Sequence, residues 1–214
     1  MRNRFDEQLN LLNVNMIEMG QMCEEAINLA AKSLVEYSEE LANKVYALEN
    51  DIDHMEHSIE ALCLKLLLQQ QPVARDLRQI SAALKMITDM ERIGDQTRDI
   101  VMLIPELKGR TVNEFDIIKQ MAASTMLMVD MSVNAFVKKD ISISENVIKY
   151  DDVVDNYFSQ IKTALIEMIA SNKEDGEYAL DLLMIAKYFE RIGDHATNIA
   201  EWVEFSVTGN HRSL

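Results

Sequence analysis

Apolar positions recur along this chain in alternating steps of three and four residues, the spacing of one face of a helix packed in a bundle. Phe5, Leu9, Leu12, Met16, Met19, Cys23, Ala26 and Ala30 predict a first helix over about 5–37. A break at 38–40 follows, with Ser38 supplying the N-cap. Val45, Leu48, Ile52, Met55, Ile59, Leu62 and Leu66 carry a second helix to about Gln71, where Pro72 disfavours helical backbone in the residue before it. Ile80, Ala83, Ile87, Met90, Gly94, Thr97 and Val101 form the seam of a third helix over about 74–104. Pro105 and Gly109 then bracket a linker over 105–113. The second half repeats the plan. A fourth helix is expected over about 114–139, and a fifth, capped by Ser142 or Ser144, runs to about 171. After the polar loop 172–176, a sixth covers about 177–205, with its seam at Ala179, Leu182, Ala186, Phe189, Gly193, Ala196, Ala200 and Val203. The tail after Thr208 is expected to fray. No strand pattern competes, so the expected fold is all-α, a tandem of two similar three-helix bundles over residues 1–107 and 112–214, with six long antiparallel helices.

Composition supports long helices, because two prolines and six glycines leave little material for turns. The net charge of −15, from 36 acidic against 21 basic residues, argues against nucleic acid, whose affinity comes from cations that neutralise phosphates. Cys23 and Cys63 sit in helical apolar patterns without a spacing motif, as reduced core thiols do. There is no apolar core of a signal peptide at the N-terminus and no stretch of 18 apolar residues without charge. A soluble, cytoplasmic protein is the expectation.

One five-residue word changes the picture. Glu91-Arg92-Ile93-Gly94-Asp95 recurs letter for letter as Glu190-Arg191-Ile192-Gly193-Asp194, 99 residues on. It puts a helix-weakening glycine and two carboxylates one turn apart on one face, both of which cost stability. Two more acidic pairs lie upstream at the same spacing, Glu49 with Asp53 and Asp151 with Asp155, 42 and 39 residues before Glu91 and Glu190. Every pair stands one position beyond a seam residue, at the edge of a helix–helix contact. If the middle and third helices of each half run antiparallel, two pairs face each other across a groove. Four carboxylates there repel unless cations are present, and oxygen-rich clusters on facing bundle helices hold metal ions. The competing reading is a solvated acidic face in which Arg92 and Arg191 make ordinary ion pairs. Gly94 and Gly193 fit the first reading, by letting a neighbouring backbone or a ligand approach. Glu56 and Glu60 continue the first stripe, but Phe158 and Lys162 replace them in the second half, which assigns the two glutamates to solvent.

Other chemistry finds little support. A ferritin-like di-iron site needs Glu-x-x-His on two helices, and the nearest match is Asp51 with His54, once. His57 and His195 adjoin the acidic motifs, His195 as a ligand, an outer partner or a half-exposed helix residue, while His211 lies in the tail. There is no phosphate-cradling glycine loop and no nucleophile elbow. The fourteen methionines are core filling more readily than a partner groove.

The repeated motif, its upstream acidic pairs and the segment Gln71-Pro72-Val73-Ala74-Arg75-Asp76-Leu77-Arg78 together resemble the PhoU family over essentially the whole chain. That resemblance implies two three-helix bundles and multinuclear transition-metal sites of iron or zinc. The ligands it implies are Glu49, Asp53, Glu91 and Asp95 in the first half and Asp151, Asp155, Glu190 and Asp194 in the second. Arg92, Gly94, Arg191, Gly193 and His195 would support them. Glu49 departs from the aspartate the family often has, and the second half lacks the Gln-Pro-x-Ala segment. The implied role is negative regulation of a phosphate ABC transporter and of its sensor histidine kinase, by a homodimer that reaches the membrane through its partners. A carboxylate-bridged dimetal hydrolase or oxidase is the enzyme alternative, although the chain supplies no clear general base outside the ligands. A metal-free helical adaptor is the third reading.

Overall fold

Each predicted period folds into one helix in the computed structural model, which describes residues 2–69, 72–110 and 114–210. Six long helices follow one another: α1 Arg2–Glu36, α2 Glu39–Gln69, α3 Ala74–Leu103, α4 Glu114–Lys138, α5 Ile141–Ser171 and α6 Gly176–Thr208. No strand occurs among the described residues. Gln71, residues 111–113 of the linker and His211 lie outside them.

The helix ends follow local chemistry. Ser38 Oγ accepts the Leu41 N–H at 3.3 Å, as expected of the cap of α2. The cap of α5 is Asp140, not Ser142 or Ser144: its carboxylate accepts Ser142 N–H at 2.9 Å. Ser144 is buried inside the helix instead. Lys139, with φ 56°, closes α4 in the left-handed region, where glycine is usual. The linker after α3 opens with a 3-10 turn, Ile104–Leu107. It then lies against the start of α6, where Arg110 pairs with Asp175 at 2.8 Å and stacks 4.1 Å over the Tyr178 ring.

The seams pack as predicted, with every named position of α3 and α6 buried. What one seam per helix does not anticipate is a second buried stripe on these two helices. Ala82, Met86, Ile93 and Ile100 on α3, and Ile185, Ile192 and Ile199 on α6, are also fully covered. The reason is that α3 and α6 pack on each other more extensively than any other pair, running antiparallel through the middle of the molecule. α1 and α4 join the halves beside them, so one continuous apolar core spans both repeats. Cys23 and Cys63 belong to that core as free thiols, both pushed up by burial, which keeps them protonated and inert. No described helix is long and apolar enough to cross a membrane.

Candidate functional site

Helices α2 and α3 pack together, as do α5 and α6, so each half brings its two acidic pairs to one groove. The seam residues beneath do the positioning. Ile52 of α2 lies against Gly94 of α3, where an added Cβ would stand 3.3 Å from its Cδ1. In the second half Val154 takes the place of Ile52 against Gly193.

The two glycines therefore do different work. Gly94 makes room for a core side chain, not for the groove or a ligand. Gly193 does both: its added Cβ would meet Val154 Cγ1 at 3.4 Å and the Asp151 carboxylate at 3.3 Å.

Electrostatics separate the halves further. In the first groove the Arg98 guanidinium bridges the helices, donating to Glu49 Oε1 at 2.5 Å and pairing with Asp95 Oδ1 at 3.3 Å. Arg92 pairs with Asp95 at 3.2 Å and Glu91 at 3.5 Å, within its own motif. Glu91 is nevertheless raised, by burial first and then by Asp95, Glu56 and Asp53, with Arg92 opposing. Glu56 is thus part of this groove, a correction to its assignment to solvent, for its side chain is only 19% exposed. Its own acidity is weakened by burial and then by Glu60. Asp53 stands at the rim beside His57, 3.7 Å away.

The second groove has no bridging guanidinium. Thr197 occupies the position equivalent to Arg98 in the repeat, and its hydroxyl is buried with no partner. Lys187, one turn before Glu190, pairs with that carboxylate from the other end. Asp151 is consequently pushed up to about 6, by burial first and then by Asp155, Asp194, Glu190 and Asp152. Asp194 is raised too, by burial and Glu190, with Lys187 opposing. Four carboxylates act on one another here.

Arg191 does not copy Arg92. Its charge stabilises the Asp99 carboxylate of α3, in the other repeat. His195 turns the same way: its Nδ1 lies 2.9 Å from Asp89 Oδ1, which also accepts Asn198 Nδ2–H at 3.1 Å. His195 clasps α6 to α3 and is not aimed into the acidic groove.

The donor set in each groove is of the type that suits a hard or borderline cation. As the side chains stand, however, no three His, Cys, Asp or Glu among the described residues converge closely enough to hold one ion. Arg98 and Lys187 were legible only as charges three residues from Asp95 and Glu190, and that spacing was the available signal. Asp89, two residues before Glu91, gave no such signal.

The family described as the PhoU domain matches this chain twice, over residues 16–104 and 118–203. A Clostridium acetobutylicum relative, described as a phosphate-specific transport system accessory protein PhoU homolog, is 32% identical over 217 residues, covering 100% of this chain and 98% of its own. The crystal structure of PhoU from Pseudomonas aeruginosa superimposes with a TM-score of 0.90 at 28% identity, covering 96% of this chain and 100% of that one. The phosphate transport system regulatory protein PhoU from Streptococcus pneumoniae does so at 0.90 and 25% identity, over 98% and 100%.

Proposed function

This chain belongs to the PhoU family, and from that membership we propose that it is an accessory regulator of a phosphate-specific transport system, not an enzyme. The observation that carries this reading is the match over both repeats and nearly the full length of relatives described as accessory or regulatory proteins. In this role it acts in the cytoplasm, as a homodimer, and restrains a phosphate ABC transporter and a sensor histidine kinase when phosphate is plentiful. It meets the membrane through those partners. The dimetal hydrolase or oxidase is set aside, since the family bears the name of an accessory protein and the grooves offer no general base beyond their own carboxylates.

The acidic grooves are proposed as the metal-responsive part. Asp151, Asp155, Glu190 and Asp194 would hold iron or zinc, with Asp155 and Asp194, both open to solvent, turning inwards. The bound ion would supply positive charge with positions free for an anionic group. In the first groove Glu49 and Asp95 already share the Arg98 guanidinium. A metal there, held with Asp53 and Glu91, has to displace that side chain. This asymmetry favours a second reading for the first half, a groove balanced by its own arginine.

A pull-down from membranes of phosphate-replete cells tests the role, and transporter or kinase components are the expected catch. Recovering neither would sink it. Elemental analysis of protein purified without chelator tests the ions separately. Less than about one tightly held transition-metal equivalent per chain would leave the metal-free adaptor.

A further inference from the structure

Far from the acidic grooves, the N-terminus of α3, the turn between α4 and α5 and the C-terminus of α6 enclose a cavity of about 240 Å³. Arg75, Gln79, Lys139, Ser206 and Val207 line it. In a chain of net charge −15, two cations facing one cavity are out of character. They are also unneutralised: no described carboxylate lies within ion-pair distance of either, for the described ion pairs involve other cations. Asp76 acts on Lys139 at longer range. Asp140 is committed to capping α5, and Glu204 on the last turns of α6 has a partner of its own.

Three further features add positive character to this corner of the molecule. Lys139 is held in place by a 2.7 Å bond from its Nζ to Gln79 Oε1, which leaves the ammonium with donors to spare. Burial first, then the neighbouring Arg75, hold Lys139 below the ordinary lysine range, with Asp76 opposing. Arg78, on the same face of α3 as Arg75, has its Nε buried without a partner. Val73 offers no side-chain cap, so the first N–H groups of α3 add their positive end to the same corner.

We propose that this cavity is a binding site for a small tetrahedral oxyanion, inorganic phosphate or sulfate, held between Arg75 and Lys139. The volume falls below that of pockets for drug-sized ligands but admits a small ion with several waters, each about 30 Å³. The site goes beyond the regulatory role and stands without it, because neither cation belongs to the acidic grooves.

Calorimetric titration of the full chain with inorganic phosphate at low ionic strength tests it. One saturable site is expected, displaced by sulfate but not by chloride at equal ionic strength. Arg75→Gln and Lys139→Gln should each weaken binding at least about tenfold, while Lys139→Arg retains it and Lys44→Gln, an exposed cation at the start of α2, leaves it unchanged. Because both side chains reach solvent, the variants should melt like the wild type, which circular dichroism checks. No saturation by about 10 mM phosphate, equal displacement by chloride, or binding untouched by both glutamine variants would overturn the proposal. A failed pull-down leaves this outcome unaffected, so the two readings fail separately.

Discussion

Arg98 of α3 donates to Glu49 of α2 at 2.5 Å, and the equivalent pair in the second half, Thr197 and Asp151, has no such bridge. A duplicated sequence has therefore produced two unlike grooves. One carries its own organic cation. The other has Lys187 pairing with Glu190 at one end and no cation bridging its two helices.

Removing the bridge should expose the difference. Arg98→Met is expected to take up more zinc or iron per chain than the wild type, read by elemental analysis after dialysis. Without metal it should lose about 1 kcal/mol of stability, a modest figure because Arg98 still reaches solvent. Unchanged uptake would show that the guanidinium does not occupy a metal position.

Asp151 sets a pH dependence of opposite sign to the usual carboxylate. Its folded-state pKa of about 6 lies above the ordinary 3.8, so folding binds its proton more tightly. The stability it contributes is full below about 4 and is lost as pH rises through about 6. Asp151→Asn, measured without metal, should raise Tm at pH 7.5 by about 2–4 °C, corresponding to about 1 kcal/mol after allowance for solvent screening. At pH 4 the gain should vanish. An equal gain at both values would contradict the assignment.

The Asp89–His195 contact predicts coupling between the repeats. Each alanine substitution should cost about 1 kcal/mol in urea unfolding, since the two side chains are only 15% and 18% exposed. The double variant should cost less than the sum by at least about 0.5 kcal/mol. Strict additivity would show that this contact does not couple the repeats.

Gly94 and Ile52 make a steric prediction. An alanine at 94 gains about 1 kcal/mol of helix propensity but presses on Ile52 Cδ1 at 3.3 Å, where Ile52 is fully buried. Ile52→Val alone should cost about 0.5–1.5 kcal/mol. In the Gly94→Ala background its cost should fall, because the crowded methyl is gone. Equal costs in both backgrounds, by chemical denaturation, would refute the contact.

Much of this was legible in the chain because it depends on neighbours three or four residues away. The seams, the Ser38 cap of α2 and the shared face of Glu91 with Asp95 all follow from one turn of helix, so sequence determined them. So did the duplication and the grooves' donor type. Asp140 escaped as the α5 cap because Ser142 and Ser144 offered competing hydroxyls, and only backbone geometry chooses among them.

Tertiary structure decided everything that turns on which helices meet. The second buried stripe of α3 and α6 exists because they face each other across the repeats, a partnership between residues about a hundred positions apart. That same meeting turns His195 towards Asp89 and sets Arg191 beside Asp99, while Arg92 stays with its own motif. Packing also gave the two glycines different neighbours, and it brought Arg75 to Lys139 from opposite repeats. Identical five-residue words thus acquired different roles, because side-chain chemistry is local but the charge it meets is not.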